Sequence, residues 1–235
     1  MVGQDRHLTG GHGKEWPMLR GAQLAKDRDA GRTRSLILDA AERIFARDGL
    51  RAARTVDIAS QCNVTKAMIH YYFDTKEKLY QAVLDRVFLE RIEGMQLATL
   101  RTLPPRDALD TFVERMFGQM ARKPHLGPLF ALENIQNDGV YYTRSGGEVY
   151  RVLTNIIDRG IEAGSFRAMD SRHAAIIIMG ACVHYFNVAN NVRILWSERR
   201  HFDERLLREH VVCATEFVSN AVLVRRPKAA RVRRR

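Results

Sequence analysis

Apolar residues recur along most of this chain at the three- and four-residue spacing of helices. They form short stripes between residues 33 and 80 and longer ones between residues 106 and 224, separated by Gly, Pro, Asn and capping residues. The chain has no strand-like alternation of β-branched residues. The pattern therefore predicts an all-α protein of about nine helices, with a small N-terminal unit and a larger helical body.

Residues 55–78 predict two short helices joined by a tight turn. Thr55 is a suitable N-cap for the first of them, and Ile58 lies on its inward face. Asn63 can adopt the left-handed conformation that a sharp turn needs, and Thr65 can cap a second helix that ends at Phe73. This succession is that of a helix-turn-helix, whose second helix enters the major groove of DNA.

The helices on either side of this stretch follow from the same signals. A first helix is predicted from Thr33, as its N-cap, to Asp48, with Gly49 supplying the left-handed position after its end. Residues 50–54 are expected to form a loop. A fourth helix is predicted to be capped by Thr75 and to run to about Leu100, linking the small unit to the body.

The outward face of the third helix carries the predicted DNA contacts. A helix of two turns is not stable alone, so one face must pack and the other is left for a partner. That face has no acidic residue and offers groups that donate to phosphates and base edges, although each residue taken singly fits ordinary packing or a solvated charge equally well. The predicted DNA-binding residues are Lys66, Ala67, Met68, His70, Tyr71 and Tyr72 on this face, Thr65 at its N-terminus, and Thr55 and Lys76 at the starts of the second and fourth helices.

Residues 34–84 resemble the DNA-binding head of the tetracycline-repressor (TetR) family of bacterial transcription regulators. Phe45 to Gly49 is similar to the FxxxG ending of the family's first helix, and Val64-Thr65-Lys66 is similar to its recognition segment. Thr55 to Ala59 is similar to its T-x-x-x-I-A pattern, with Ile-Ala one residue nearer the Thr. Asn63 stands where the family usually has Gly, and Met68 and His70 replace its commoner Thr and Tyr.

The resemblance implies a homodimeric repressor that binds a palindromic operator and is released by a small-molecule effector. It also implies that Ala67, Met68 and His70 lie nearest the base edges, while the other predicted contacts are mostly to phosphates. The alternatives are a DNA binder of the same fold without a small-molecule switch, and, much less favoured, a small all-α enzyme.

In the resembled family the ligand pocket lies inside the body, between the fifth and eighth helices. Helices are predicted over residues 106–122, 126–137, 148–163, 171–191 and 203–224. Apolar walls with a few polar groups suit a small molecule, although each residue taken singly fits plain core or surface better. The candidate pocket residues are Phe117, Met120, Phe130, Glu133, Asn134, Asn137, Tyr141, His184, Phe186 and Asn187.

The last two helices are the candidate dimer surface. The eighth is apolar nearly all round over residues 174–183, and the ninth carries an apolar stripe. Two such helices from each subunit would form a four-helix bundle about a two-fold axis, although burial within a monomer would leave the same pattern. The predicted interface residues are Ala174, Ile177, Ala181, Leu207, Val211, Ala214, Phe217, Val218 and Ala221.

Charge divides the 235 residues into four segments. A predicted disordered arm (1–31) and head (32–80) are mildly basic, the body (81–224) is neutral, and the tail (225–235) carries seven of the net eleven positive charges. Arm and tail are read as phosphate-binding segments or as solvated ends with no role.

Few other functions are consistent with the sequence. The three cysteines lie far apart, and no HExxH motif, His/Cys pair at ligand spacing or phosphate loop is present, so neither metal, cofactor nor catalysis is expected. With no signal peptide or membrane span in the sequence, the predicted location is the bacterial cytoplasm, in association with the nucleoid when DNA is bound.

Overall fold

The computed structural model describes residues 17–142, 147–188, 191–196 and 203–224. In those residues it is all-α, as predicted. The ten helices are α1 (Pro17–Ala52), α2 (Thr55–Gln61), α3 (Lys66–Phe73), α4 (Lys76–Met95), α5 (Leu97–Thr102), α6 (Pro105–Arg122), α7 (Leu126–Asn137), α8 (Gly147–Glu162), α9 (Ser171–Asn187) and α10 (Glu204–Val222), with a 3-10 turn at Val192–Leu195 between the last two.

The head consists of α1, α2 and α3, closed by the beginning of α4. The turn between α2 and α3 forms as predicted, because Asn63 adopts φ 54° and the Val64 amide donates to the Ala59 carbonyl at 3.0 Å. Thr65 caps α3 by accepting from the Met68 amide at 3.2 Å. Phe73 and the other inward residues of α2 and α3 are buried, so the outer face of α3 is held in place from behind.

Helix α1 differs from its prediction at both ends. It begins at Pro17, so the second half of the predicted disordered arm is helical, and residues 1–16 lie outside the described part. Thr33 is not an N-cap, because it lies inside the helix and its hydroxyl donates to the Asp29 carbonyl at 2.8 Å. Gly49 interrupts the helix with φ 71° and ψ 177°, but a helical turn follows to Ala52 where a loop was predicted.

Two further helix boundaries were wrong. Thr55 is the first residue of α2 and makes no capping bond, because Arg54 occupies the N-cap position. The predicted fourth helix is two helices, since Gln96 takes a left-handed conformation with φ 46° after Met95. The Arg115 guanidinium of α6 donates to the Met95 carbonyl at 2.9 Å, which caps α4 from a distant part of the chain.

The body packs α6 against α8, α9 and α10, and α7 against α1 and α9. The apolar residues form two cores. One joins the head to α7 and to parts of α6 and α9, the other joins α5, α8 and α10 to the remaining parts of α6 and α9, and α4 contributes to both. Helices α6 to α10 follow their predictions within a few residues. The eighth predicted helix is the exception in length, because α9 ends at Asn187 rather than near residue 191.

None of the helices in the described ranges is long and apolar enough to cross a membrane. The basic tail, residues 225–235, lies outside those ranges.

Candidate DNA-binding surface and body cavity

The outer face of α3 is exposed, as predicted. Lys66, Ala67 and His70 are exposed, and Tyr71 is 84% accessible although it is aromatic. Its ring meets the half-buried Tyr72 ring edge-to-face at 5.2 Å. An aromatic side chain this exposed, braced by a neighbour, is typical of a contact surface rather than of packing.

Five of the nine predicted DNA-binding residues line one shallow groove of about 530 Å³ between α3 and the first turns of α2 and α4. The N-termini of α2 and α4 border this groove, and their free N–H groups favour an anion. The groove is the place where a phosphate backbone would fit beside the recognition helix. The five residues are Thr55, Lys66, Ala67, His70 and Lys76.

Lys76 has a structural role that the sequence did not show. Its ammonium donates to the carbonyls of Arg51 and Ala53 at 3.2 and 3.1 Å, and thereby caps the last turn of α1. An ammonium has three N–H donors, so one remains for a phosphate. Asp74, at the end of α3, is paired with Lys78 at 2.6 Å, which reduces its repulsion of DNA.

The body contains a cavity of about 600 Å³ between α4, α7, α8 and α9. It gathers four of the ten predicted pocket residues, namely Phe130, Glu133, Asn134 and Asn187. The remaining lining residues were not predicted: Arg91, Ala131, Ile135, Asp138, Gly139, Tyr142, Tyr150, Ile176, Met179, Gly180 and Val183.

The other predicted pocket residues lie elsewhere. Phe117, Met120 and Phe186 are core residues with exposures of 2% or less. His184 lines a separate cleft beside Trp196 and His210. Asn137 and Tyr141 do not line the cavity, but both donate hydrogen bonds to Glu133, which does.

Glu133 is fully buried, and its carboxylate is completely engaged. It accepts from the Tyr80 hydroxyl at 2.9 Å, the Asn137 amide at 2.7 Å and the Tyr141 backbone N–H at 2.8 Å. Burial and the bond to Glu133 raise the pKa of Tyr80 far above its usual value. Since Tyr80 belongs to α4, this network ties α4 to the cavity wall.

Arg91 is the functional candidate that sequence reasoning missed. It is 5% exposed and lines the cavity, and burial lowers the pKa of its guanidinium. A signal was present in the sequence, because Arg91 follows Val87 and Phe88 at helical spacing, and so falls on the apolar face of α4.

Head and body are joined by ion pairs around Glu42 of α1, which is 4% exposed. Its carboxylate accepts from Arg86 of α4 at 2.7 Å and from His125 at 2.7 Å, and lies 3.3 Å from the Lys123 ammonium. Burial would raise the pKa of Glu42, but these three partners together lower it to about 2. The charge of Glu42 on α1 is therefore held at the junction by α4 and by the connection between α6 and α7.

The predicted dimer residues divide into three groups. Ile177, Phe217 and Ala221 are exposed, the first two at 69% and 70%. Ala214 and Val218 are buried and pack into the core of their own chain. The remaining four, Ala174, Ala181, Leu207 and Val211, are partly buried. Ile176 and Val212, which were not predicted, extend the exposed apolar surface of α9 and α10.

Two family models match this architecture. One, described as bacterial regulatory proteins of the tetR family, matches residues 37–83, and the other, described as the tetracyclin repressor-like C-terminal domain, matches residues 105–216. A helix-turn-helix head on a helical body with these matches defines a DNA-binding transcriptional regulator rather than an enzyme. The chain belongs to the TetR family.

Relatives that are transcription regulators agree with that assignment. The chain is 31% identical over 163 residues to the transcriptional repressor NicS of Pseudomonas putida, covering 66% of this chain and 76% of NicS. It is 24% identical to the regulator RutR of Escherichia coli over 174 residues, or 71% of this chain and 80% of RutR. A transcriptional regulator from Saccharomonospora viridis, solved with choline, superposes with a TM-score of 0.64 at 20% identity over 83% of this chain and all of that one.

Proposed function

We propose that the protein is a homodimeric repressor in the bacterial cytoplasm that binds a palindromic operator on the nucleoid and leaves it when a small molecule enters the body cavity. The observation that carries the proposal is the course of α4. This helix begins with Lys76 in the α3 groove, and it reaches the cavity through the Tyr80–Glu133 bond and Arg91. One helix therefore connects the DNA-binding surface to the cavity.

The exposed side chains on α9 and α10 support pairing of two chains. Isolated apolar residues on a surface need no explanation, but four large ones on two adjacent helices are typical of an interface. A two-fold dimer presents two α3 helices, which a palindrome of half-sites about one helical turn apart would match. Repression, rather than activation, is supported by the similarity to NicS, which is a transcriptional repressor.

A change in α4 is the proposed route of release. The Tyr80–Glu133 bond and the Glu42 ion pairs hold α4 against α7 and α1. A ligand that moves the cavity wall would displace α4 and, through Lys76, the end of α1. A ligand can only release DNA if it binds the displaced state more tightly than the DNA-bound state.

The DNA-binding surface is tested by changing Tyr71 and Lys76 to alanine together. The double variant should lose at least about 100-fold in affinity for DNA upstream of the protein's own gene, because each hydrogen bond to a charged phosphate is worth about 1.5–3 kcal/mol and is lost in both heads. The measurement is a gel-shift titration, combined with light scattering to show that the oligomeric state is unchanged.

The matched control is Arg122→Ala, which removes one exposed positive charge from α6 in the body. It should bind DNA within a factor of about three of the wild type. Wild-type affinity in the double variant would refute the assigned surface. If the protein binds DNA and no small molecule releases it, that result would instead favour a DNA binder of the same fold without a small-molecule switch.

A further inference from the structure

The cavity holds a buried positive charge, Arg91, with no negatively charged partner among the residues that the structure describes. The Arg91 Nη2 atom lies 2.7 Å from the sulfur of Met116, a weak acceptor, and its Cζ atom lies 5.2 Å from the centre of the Phe130 ring. Its Nε atom is buried and has no hydrogen-bond acceptor in the described part of the chain. No carboxylate in that part lies within ion-pair distance of Arg91.

The two acidic residues that line the cavity, Glu133 and Asp138, are not within ion-pair distance of Arg91. Glu133 accepts hydrogen bonds from three neutral donors instead, and Asp138 is exposed. Arg86, about one turn and a half earlier on α4, shows the usual arrangement, since it pairs with Asp39 and Glu42 at 2.6 and 2.7 Å. An unpaired buried guanidinium is costly to a fold, so Arg91 is explained better by a ligand than by stability.

The walls beside Arg91 are flat and aromatic. The Phe130 ring stacks on Phe88 with centres 5.5 Å apart, and Tyr142 meets the Phe130 ring edge-to-face at 5.7 Å. Tyr150 adds a further ring to the lining. Such walls suit a planar apolar group, and the guanidinium plane suits the two oxygens of a carboxylate.

We propose that the cavity binds a small aromatic carboxylate and that Arg91 pairs with its carboxylate group. This rests on the proposed function, since it names the chemical class of the effector for the same cavity. A guanidinium pairs with a carboxylate through two parallel hydrogen bonds. Glu133 is a second negative charge in the lining, and it disfavours a doubly charged phosphate monoester more than a singly charged carboxylate.

A series of probes with one shape and three charges tests the class of ligand. Benzoate, benzamide and benzamidine carry one negative, no and one positive charge on nearly the same frame, and 2-naphthoate fills more of the cavity. With the full chain in the absence of DNA, thermal unfolding should shift upward with benzoate and 2-naphthoate. Benzoate should bind at least about 10-fold more tightly than benzamide, and benzamidine should not bind.

Arg91→Met tests the residue, with Arg86→Met as the matched control on the same helix. Arg91→Met should abolish the preference for carboxylates and should unfold at the same or a higher temperature than the wild type without ligand, because it removes an unpaired buried charge. Arg86→Met should unfold earlier, because it breaks two ion pairs, and should keep the carboxylate preference.

Equal or tighter binding of benzamide or benzamidine by the wild type would overturn the proposal. So would unchanged benzoate binding in Arg91→Met, or no stabilisation by either carboxylate up to about 10 mM. The wild-type charge series does not depend on the folding of any variant.

Gel shifts separate this proposal from the proposed function. If DNA is bound specifically while the carboxylates do not bind, the proposed ligand class is wrong and the proposed function as a DNA-binding repressor is unaffected. If the carboxylates bind through Arg91 and DNA is never bound specifically, the ligand class is right and the proposed function is wrong.

Discussion

Glu42 is the residue on which the junction between head and body depends most. It is nearly inaccessible to solvent, and its carboxylate is shared by Arg86, Lys123 and His125. Removing one member of a buried, hydrogen-bonded charge network leaves its partners without compensation. Because the network holds α1 against α4, its loss should loosen the head as well as lower stability.

Glu42→Gln should therefore lower the free energy of unfolding by about 3 kcal/mol near pH 7. Because the pKa of Glu42 is lowered in the folded protein, its contribution to the free energy of unfolding is fully present above about pH 4.5. That contribution is lost as the pH falls toward 2. Denaturant unfolding of both proteins at several pH values should show the difference shrinking across that window.

Glu90→Gln is the control for this prediction. Glu90 pairs with the same Lys123 at 2.6 Å, but it lies at the exposed edge of the network. It should cost less than about 1 kcal/mol. A stability difference for Glu42→Gln that is as large at pH 3 as at pH 7 would contradict the role given to its charge.

The structural roles of single residues were predictable where those roles depend only on neighbouring residues in the sequence. Asn63 in the turn and Thr65 at the helix start follow from backbone and capping preferences alone. Arg91 was missed because its significance is that no carboxylate in the described part of the chain pairs with it, and this depends on how α6, α7 and α8 pack around α4. Thr33 was misassigned because a good capping residue also fits inside a helix when its hydroxyl bonds back to the preceding turn.

At the scale of helices, α3 and α7 have the bounds that the sequence predicted, because a cap or a proline and the end of an apolar stripe mark them. The break between α4 and α5 was not predictable in the same way. Gln96 carries no turn signal, and the carbonyl group before it is capped by Arg115 from α6. Interactions that end a helix from a distant segment leave no local pattern to read.

The exposed apolar residues of α9 and α10 are expected to form the dimer interface. Ile177→Glu combined with Phe217→Glu should convert a dimer to a monomer, because each charge would be buried twice in a two-fold interface. Size-exclusion chromatography with light scattering measures the mass, and affinity for a palindrome should fall together with it.

Leu89→Glu is the control, since Leu89 is an exposed apolar residue on α4 at 58% accessibility. It should leave the mass of the particle unchanged. A double variant that keeps the wild-type mass would place the dimer surface elsewhere on the chain.

At the scale of the whole molecule, the positive charge is concentrated in the tail, while the body is nearly neutral. The last eleven residues hold seven positive charges and no negative one. Their deletion should weaken binding to unrelated DNA and reduce the dependence of affinity on salt, because fewer counterions are released. Binding measured against salt concentration tests this, and an unchanged slope would remove any role of the tail in binding DNA.

Footprinting the wild-type protein on DNA selected from a random pool tests whether two heads bind one palindrome. We expect a two-fold symmetric site with two protected half-sites whose centres lie about one helical turn apart and which are saturated together as the protein is titrated. Protection of a single half-site, or of DNA without sequence symmetry, would contradict it.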